Sequence, residues 1–311
     1  MADNRTIIEK ADIAVSDLTT NGGFNTQQTN TFIRGLIELP TLLNEIRVVP
    51  MPSPQFTINK IGLGTRVLHG APAEVVGTTL DAAKRVAPTT SKIVLNSKEI
   101  MAEVHIPYDV LEDNVEGNNL GATIMSMVMD KVAIDLEELV VNGDTSILAA
   151  TDDLLCKCDG VLKRASAHVI DNTATPVAIS NAPFEAMLKS MPNKYLRNVS
   201  AMRFYASPHA EIDYASWLGE RETALGDNRL LSNWQGNRPL GIPLKACANM
   251  ANAKSLFCDP KNIILGIQRN ISVETDKDIR SRVLIFVLTL RVDVQVEETD
   301  AVVKYLGLNV T

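Results

Sequence analysis

An extended segment at residues 50–107 constrains this chain more than any other feature. It holds two strand-like runs, one with Phe56, Ile58 and Ile61 and the other over residues 93–106. The stretch between the two runs is rich in Gly, Ala, Pro and Thr. Two strands joined by such a tip are not stable alone in water. The segment therefore needs a surface to lie on, and one candidate is a neighbouring copy of the same protein.

The extended segment leads into a long amphipathic helix that the sequence predicts over residues 118–141. Apolar residues recur there at spacings of three and four, which is the helical period. At 1.5 Å per residue such a helix is about 35 Å long. Asn118 is placed to cap its start, and Asn142-Gly143 predicts a left-handed stop.

The remainder of the chain predicts a mixture of strands and helices. Residues 283–290 are apolar on both faces, which is typical of a central strand. Residues 290–296 then alternate between apolar and polar side chains. Helices are expected to begin after Ser180 and Ser207, and residues 50–54 are interpreted as a proline-rich linker.

Composition and charge exclude several classes of protein. The chain has 311 residues, of which 45% are hydrophobic, so it can bury a sizeable core. Its formal net charge is −7 and it has no basic tail, unlike proteins that condense nucleic acid by neutralising its charge. The N-terminus lacks the apolar core of a signal peptide, and the longest apolar run is far too short to span a bilayer. A soluble protein made in the cytoplasm, with no membrane partner, is expected.

The residues Ser207, His209 and Asp213 suggest a catalytic triad only at first sight. Ser207 before a proline is the ordinary start of a helix, and His209 with Asp213 forms a local pair on one helix face. Hydrolase triads draw on distant segments and place the nucleophile on its own turn. The sequence therefore predicts no enzyme activity at this position.

Candidate metal ligands also have simpler interpretations. Cys156-x-Cys158 lacks the second cysteine pair of a structural zinc site, and free buried cysteines are favoured for these two residues and for Cys247 and Cys258. No disulfide framework is evident, which favours a reducing compartment. We expect no metal and no cofactor.

Two groups of acidic residues accompany the long helix. The cluster at residues 109–116 is interpreted as acids that favour a helix N-terminus rather than as a divalent cation site. Glu137 and Glu138, late in the helix, point to different faces. They are interpreted as solvated or inter-subunit charges rather than as a hydrolytic pair.

Three stretches of the chain resemble the major capsid proteins of tailed bacteriophages. The run SKEIMAEVHIPYDVLED, residues 97–113, resembles the strand that leaves the extended loop of that family. The run DLEELVVNGD, residues 135–144, is similar to the end of its spine helix. The run LRVDVQVEETDAVVK, residues 290–304, is similar to its closing strand pair. The resemblance covers residue 26 to the end, in the order found in the family.

The resemblance implies a Hong-Kong-97-like major capsid fold of the α+β class. Its expected parts are an N-terminal arm and helix (1–49), an extended β-hairpin loop (50–107), a peripheral domain built on a long spine helix (108–160 and 266–311) and an axial domain (161–265). Within the loop, the candidates for inter-subunit contact are Phe56, Ile58, Lys60, Ile61 and Arg66.

The resemblance also implies a function in assembly rather than catalysis. The expected protein is a major capsid protein that forms pentamers and hexamers in an icosahedral shell around the double-stranded DNA of a tailed phage. It would be a virion component, assembled in the host cytoplasm. A separate scaffolding protein is expected, since the chain starts without a scaffolding segment. A portal protein and a decoration or cement protein are further expected partners, and the DNA is enclosed without sequence-specific binding. The alternatives are an encapsulin-like nanocompartment shell and an oligomeric enzyme.

Overall fold

The computed structural model describes residues 41–63, 66–70, 80, 84–109, 120–220, 237–268 and 272–310. Three of the sequence predictions lie outside these residues. They are the N-terminal arm and helix as far as residue 40, the start of the long helix at Asn118, and all of the acidic cluster except Asp109. Asp109 itself is exposed.

The described chain combines helices with largely antiparallel sheets, and strands cluster at both of its ends, which confirms the α+β class. The helices are α1 (Leu120–Asn142), α2 (Val161–Arg164), α3 (Asn181–Ser190) and α4 (Pro208–Gly219). The strands are β1 (Arg47–Met51), β2 (Gln55–Gly62), β3 (Thr89–Asn96), β4 (Lys98–Pro107), β5 (His168–Asp171), β6 (Val177–Ala178), β7 (Arg203–Ala206), β8 (Leu244–Ala246), β9 (Lys254–Cys258), β10 (Ile263–Gln268), β11 (Ser272–Asp278), β12 (Val283–Val296), β13 (Val302–Leu306) and β14 (Leu308–Asn309).

The first of the two large sheets is built around β12, which confirms the prediction of a central strand. Leu288 of β12 pairs with Val273 of β11 on one edge and with Ala102 of β4 on the other. Further along β12, β10 pairs on the same edge as β11, and β1 lies parallel to β10. The sheet therefore joins the return strand of the extended segment to the C-terminal region. β1 includes Pro50 and Met51, so the segment interpreted as a linker is confined to residues 52–54, which connect β1 to β2.

The second large sheet has the order β5-β13-β9-β7-β8. Helices α3 and α4 pack on one face of it, around a core that contains Phe184, Phe204 and Tyr214. Both helices begin where the sequence predicts. The Oγ of Ser180 accepts a hydrogen bond from the amide of Ala182, and the Oγ of Ser207 accepts one from the amide of Ala210. These caps satisfy amides that otherwise lack a partner at a helix start.

The main core lies between the first sheet and the long helix α1. Leu139 and Val140 of the helix are buried in one cluster with Leu265 of β10 and Val294 of β12. The other face of the same sheet holds a small cluster under the hairpin of β2 and β3, centred on Ile264. The first sheet is thus a layer between the helix and the base of the hairpin.

The long helix ends as predicted at Asn142, but for a different reason. The positive-φ glycines of the described residues are Gly241 and Gly307, so Gly143 is not in the left-handed conformation. A Cβ at Gly143 would lie 2.4 Å from the carbonyl oxygen of Cys158. The glycine is required by this close approach of two backbone segments rather than by its φ angle.

Two strands join sheets across the boundaries expected for the domains. β4 lies within the residues assigned to the extended loop, yet it is paired along its whole length with β12. β13 lies within the residues assigned to the peripheral domain, yet it pairs with β5 and β9 of the second sheet. The division into four parts remains a prediction. In the described residues, β4 and β13 each pair with strands that lie on the other side of an expected boundary.

Candidate assembly surface

The hairpin of β2 and β3 leaves the body of the molecule as a two-stranded ribbon. Its strands pair from Gln55 with Asn96 to Gly62 with Thr89. At the end of the ribbon and beyond its last pair, large apolar side chains are exposed to water, by 73% at Ile61 and 82% at Leu68. Leu63 and Val67 are exposed in the same stretch. Contiguous exposed apolar side chains are typical of an interaction site, because only a partner can remove them from water.

The base of the hairpin is different, because it packs on its own subunit. Phe56 and Ile58 are half-buried and lie against the cluster that contains Met51, Leu95 and Ile264. Burial alternates strictly along β2, so one face of the strand lies on the body and the other faces outward.

The five residues predicted to contact another subunit are therefore not equivalent. Phe56 and Ile58 contact their own subunit, and the ammonium of Lys60 forms an ion pair with Glu298. Ile61 and Arg66 are exposed and remain available to a neighbouring copy.

A buried carboxylate anchors the return strand of the hairpin. Asp293 of β12 is 4% exposed. Its Oδ2 accepts a hydrogen bond of 2.7 Å from the amide of Asn96, the last residue of β3, and its Oδ1 accepts one from the amide of Val294. Arg164 lies 3.9 Å away. Burial raises the pKa of the Asp293 carboxyl, against the effect of these amides and of Arg164.

A second buried carboxylate anchors the chain where the described residues begin. Glu137 of α1 is 4% exposed, and its Oε1 accepts a 2.8 Å hydrogen bond from the amide of Leu42 and a longer one from the hydroxyl of Thr41. Glu137 is therefore buried within its own subunit, and its interpretation as a solvated or inter-subunit charge is wrong. Glu138 is half-buried.

The sequence reasoning missed the role of both anchors. Asp293 lies in an alternating Val-Asp-Val pattern, which predicts that it lies on the polar face of its strand. Glu137 is followed by another glutamate of the same chemistry, and α1 carries no local signal that separates the two. In each case the partner amide is far away in sequence, at Asn96 and Leu42.

The residues that suggest a catalytic triad or a metal site in the sequence do not form one in the described structure. The hydroxyl of Ser207 is buried and caps α4, and His209 is exposed. Burial raises the pKa of the Cys158 and Cys247 thiols to about 12, which keeps them protonated and poorly nucleophilic.

The cysteine and membrane predictions can be compared with the described residues alone. The cysteines are free, and all but the half-buried Cys156 are buried, as expected. The described residues contain no group of three or more His, Cys, Asp and Glu side chains placed to hold a metal ion. Among the described helices, none is long and apolar enough to cross a membrane.

Comparison with known proteins gives a consistent result. A family model described as the phage capsid family matches residues 23–306. The chain is 39% identical to a putative prophage capsid protein, YqbE of Bacillus subtilis (strain 168), over 313 aligned positions that cover 97% of each chain.

Two solved shells show the same fold at low sequence identity. A chain of the satellite phage P4 procapsid that includes the size determination protein matches with a TM-score of 0.70 and 16% identity, covering 100% of this chain and 99% of that one. A chain of the SrpI encapsulin complex from Synechococcus elongatus PCC 7942 matches with a TM-score of 0.53 and 12% identity, covering 88% and 90%. The Hong-Kong-97-like shell fold expected from the sequence is confirmed.

Proposed function

The chain belongs to the phage capsid family, and on that premise we propose that it is the major capsid protein of a tailed phage. Copies of it form pentamers and hexamers, which build an icosahedral shell around a double-stranded DNA genome. The protein is a virion component that assembles in the host cytoplasm, and it acts by assembly rather than by catalysis.

The observation that supports this proposal is the contrast within the extended hairpin. Its base is fixed to the body by Phe56, Ile58 and the hydrogen bond that the backbone amide of Asn96 donates to Asp293. Its distal part exposes Ile61 and Leu68 to water. A rigidly based arm with an apolar end suits a contact that is completed by a neighbouring subunit.

Further partners follow from the same function. We propose a separate scaffolding protein that sets the curvature of the growing shell, a portal protein at one vertex, and a decoration or cement protein on the outside. The DNA is held without sequence-specific contacts. The net charge of −7 supports this, since a shell of acidic subunits does not bind DNA tightly.

The test is assembly of the protein with its scaffold. The chain is co-expressed with the genes that neighbour it, and the lysate is examined by sucrose gradient and cryo-electron microscopy. We expect closed icosahedral particles built of pentamers and hexamers. Small discrete oligomers under all of these conditions would contradict the proposal.

A matched pair of variants tests the role of the exposed hairpin end. Leu68→Asp and Leu148→Asp each place a charge on a strongly exposed leucine, one on the hairpin and one on the body. Both subunits should fold normally, because exposed substitutions change stability by only about 0.5 kcal/mol. We expect particles from the Leu148 variant and few or none from the Leu68 variant.

A second candidate function is an encapsulin-like nanocompartment shell. The fold match to the SrpI encapsulin complex supports it, although with a lower TM-score than the match to the P4 procapsid. The two candidates differ in what the particle contains. Particles purified from the native source that hold a cargo enzyme and no DNA would favour the compartment over the phage shell.

A further inference from the structure

A cavity of about 430 Å³ at the end of the long helix is lined by three lysines. They are Lys163 of α2, Lys254 of β9 and Lys304 of β13. Among the described residues of the lining, Asp144 is the single acidic one. The cavity therefore has an excess of positive charge in a chain whose net charge is negative.

The strand register explains why two of these lysines converge. Lys254 pairs with Leu306 in the antiparallel contact of β9 and β13. Lys304 is two residues before Leu306, so both lysines lie on one face of the sheet as diagonal neighbours. The opposite face of β13 presents Val303 and Tyr305 to the second core.

The acidic groups near the cavity are already engaged. Asp144 accepts hydrogen bonds from Ser146 and from the ammonium of Lys163, at 3.2 Å for the latter. Asp171, which flanks Leu306 on β5, accepts bonds from the amide and the hydroxyl of Thr173. Lys163 is thus paired directly, whereas Asp171 acts on Lys304 only through space and forms no ion pair with it.

Lys304 and Lys254 lack a carboxylate partner within the described chain. The ammonium of Lys304 donates to the carbonyl oxygen of Leu162 at 2.9 Å, and neither lysine lies within 4 Å of a described carboxylate. Burial lowers the pKa of Lys304, and the positive charges of Lys254 and Lys163 lower it further, against a smaller opposite effect of the Asp171 carboxylate. Half-buried charges of one sign are costly until an opposite charge meets them.

We propose that this lysine pocket, formed by Lys163, Lys254 and Lys304, receives a carboxylate side chain of a second copy of the protein in the assembled shell. The inference rests on the proposed function, since it requires a neighbouring copy. Charge complementarity selects this occupant, because each copy is acidic overall and some exposed carboxylates of its described residues lie outside every described ion pair. Glu274 and Asp276 on the edge strand β11 are two such groups, exposed and outside every ion pair of the described residues.

Zero-length cross-linking tests the contact directly. Subunits labelled with ¹⁴N and with ¹⁵N are mixed, assembled and treated with a carbodiimide, which joins a lysine amine to a carboxylate only when the two are in contact. We expect mixed-isotope peptides linked at Lys254 or Lys304 in particles and none in unassembled subunits. Lys131 with Asp135, and Lys189 with Glu185, supply intra-chain positive controls at 2.9 Å and 2.6 Å.

The outcomes separate this inference from the proposed function. Absence of particles overturns both. Particles with the two control links but with no mixed-isotope link at Lys254 or Lys304 overturn the lysine pocket alone. A mixed-isotope link at either lysine supports it and identifies the partner residue.

The Lys254→Gln variant adds a second test. The sign of its change in Tm, taken with its change in the critical concentration for assembly, distinguishes docking from a structural role. Removing this charge relieves repulsion on Lys304, so the Tm of the isolated subunit should stay constant or rise. The critical concentration for assembly should increase about tenfold, as for loss of a close charge pair at an interface.

The matched control is Lys189→Gln, which removes an exposed lysine from helix α3. Its critical concentration should be unchanged. A lowered Tm of the Lys254 variant would show that the lysine serves the fold of the subunit, and normal assembly would show that its charge takes no part in docking. Either result would overturn the inference.

Discussion

The body of the molecule and the distal part of the hairpin use apolar side chains in opposite ways. In the body, Phe204 and Leu265 are completely buried. In the distal hairpin, Ile61 and Leu68 are mostly exposed. Burial of a large apolar side chain contributes about 1.5–3 kcal/mol, so the body gains this free energy when the subunit folds. The distal hairpin can gain it only on contact with a partner.

This contrast teaches that stability of the subunit and competence for assembly are separable in one chain. Substitutions in the body should lower the free energy of unfolding. Substitutions in the distal hairpin should leave it unchanged and prevent assembly. The base of the hairpin lies between these limits, because Phe56 and Ile58 are half-buried on the subunit itself.

The largest effect is expected for Phe204→Ala in the second core. Phe204 is completely buried, stacks on Phe257 with ring centroids 4.5 Å apart and meets the edge of Phe184. Removal of a buried phenylalanine ring costs about 3–5 kcal/mol. Urea unfolding of the unassembled subunit measures the loss. Phe56→Ala at the hairpin base is the control, and equal losses for the two variants would break the comparison.

A smaller loss is expected when the anchor between hairpin and body is removed. Asp293→Ala leaves the amide of Asn96 without its acceptor in a partly buried hydrogen bond. A hydrogen bond to a charged group contributes about 1.5–3 kcal/mol, and partial exposure places the expected loss at the lower end, measured again as the free energy of unfolding in urea. Asp293→Asn keeps one oxygen acceptor and should lose less, so a larger loss for the Asn variant would contradict the role of the anchor.

The same anchor gives a pH dependence with a definite sign. Burial raises the pKa of Asp293 above its ordinary value of 3.8, so between the two values the folded state binds more protons than the unfolded state. This contribution to stability is present below pH 3.8 and is lost as the pH rises through the folded-state pKa. The stability of the native protein minus that of Asp293→Asn should therefore decrease with rising pH. A difference that increases would contradict this assignment.

Local sequence signals predict the local elements of this fold well. The three-and-four spacing of apolar residues predicts α1, and Ser180 and Ser207 predict the two caps because each bonds an amide a few residues away. The apolar run at residues 283–290 predicts a strand that is paired on both edges. Each of these properties depends on neighbours in the sequence.

Contacts between distant segments account for what the sequence does not predict. Glu137 reaches an amide 95 residues away, and Asp293 reaches one 197 residues away. β1 becomes a strand because β10 lies beside it, although its Pro50 suggests a linker. Polarity alone does not distinguish an acid that will be buried against an amide from one that will meet water.

The smallest effect on subunit stability is expected at Ile61, and it provides the sharpest test of the comparison. Ile58 and Ile61 belong to the same strand and have the same side chain, yet Ile58 packs on the body and Ile61 is 73% exposed. Ile58→Asp places a charge against an apolar cluster and should cost about 1–2 kcal/mol. Ile61→Asp should change the free energy of unfolding by no more than about 0.5 kcal/mol.

Assembly of the same two variants shows whether the outer face of β2 is a subunit contact. If Ile61 meets a neighbouring copy, Ile61→Asp subunits fold with native stability yet yield few particles in a gradient. The Ile58 variant should lose particles only in proportion to its loss of folded subunit. Refolding this variant at lower temperature should restore the folded subunit and, with it, the particles. Normal particle yield from Ile61→Asp would limit the contact to the residues beyond Gly62, where Leu63 and Arg66 are exposed.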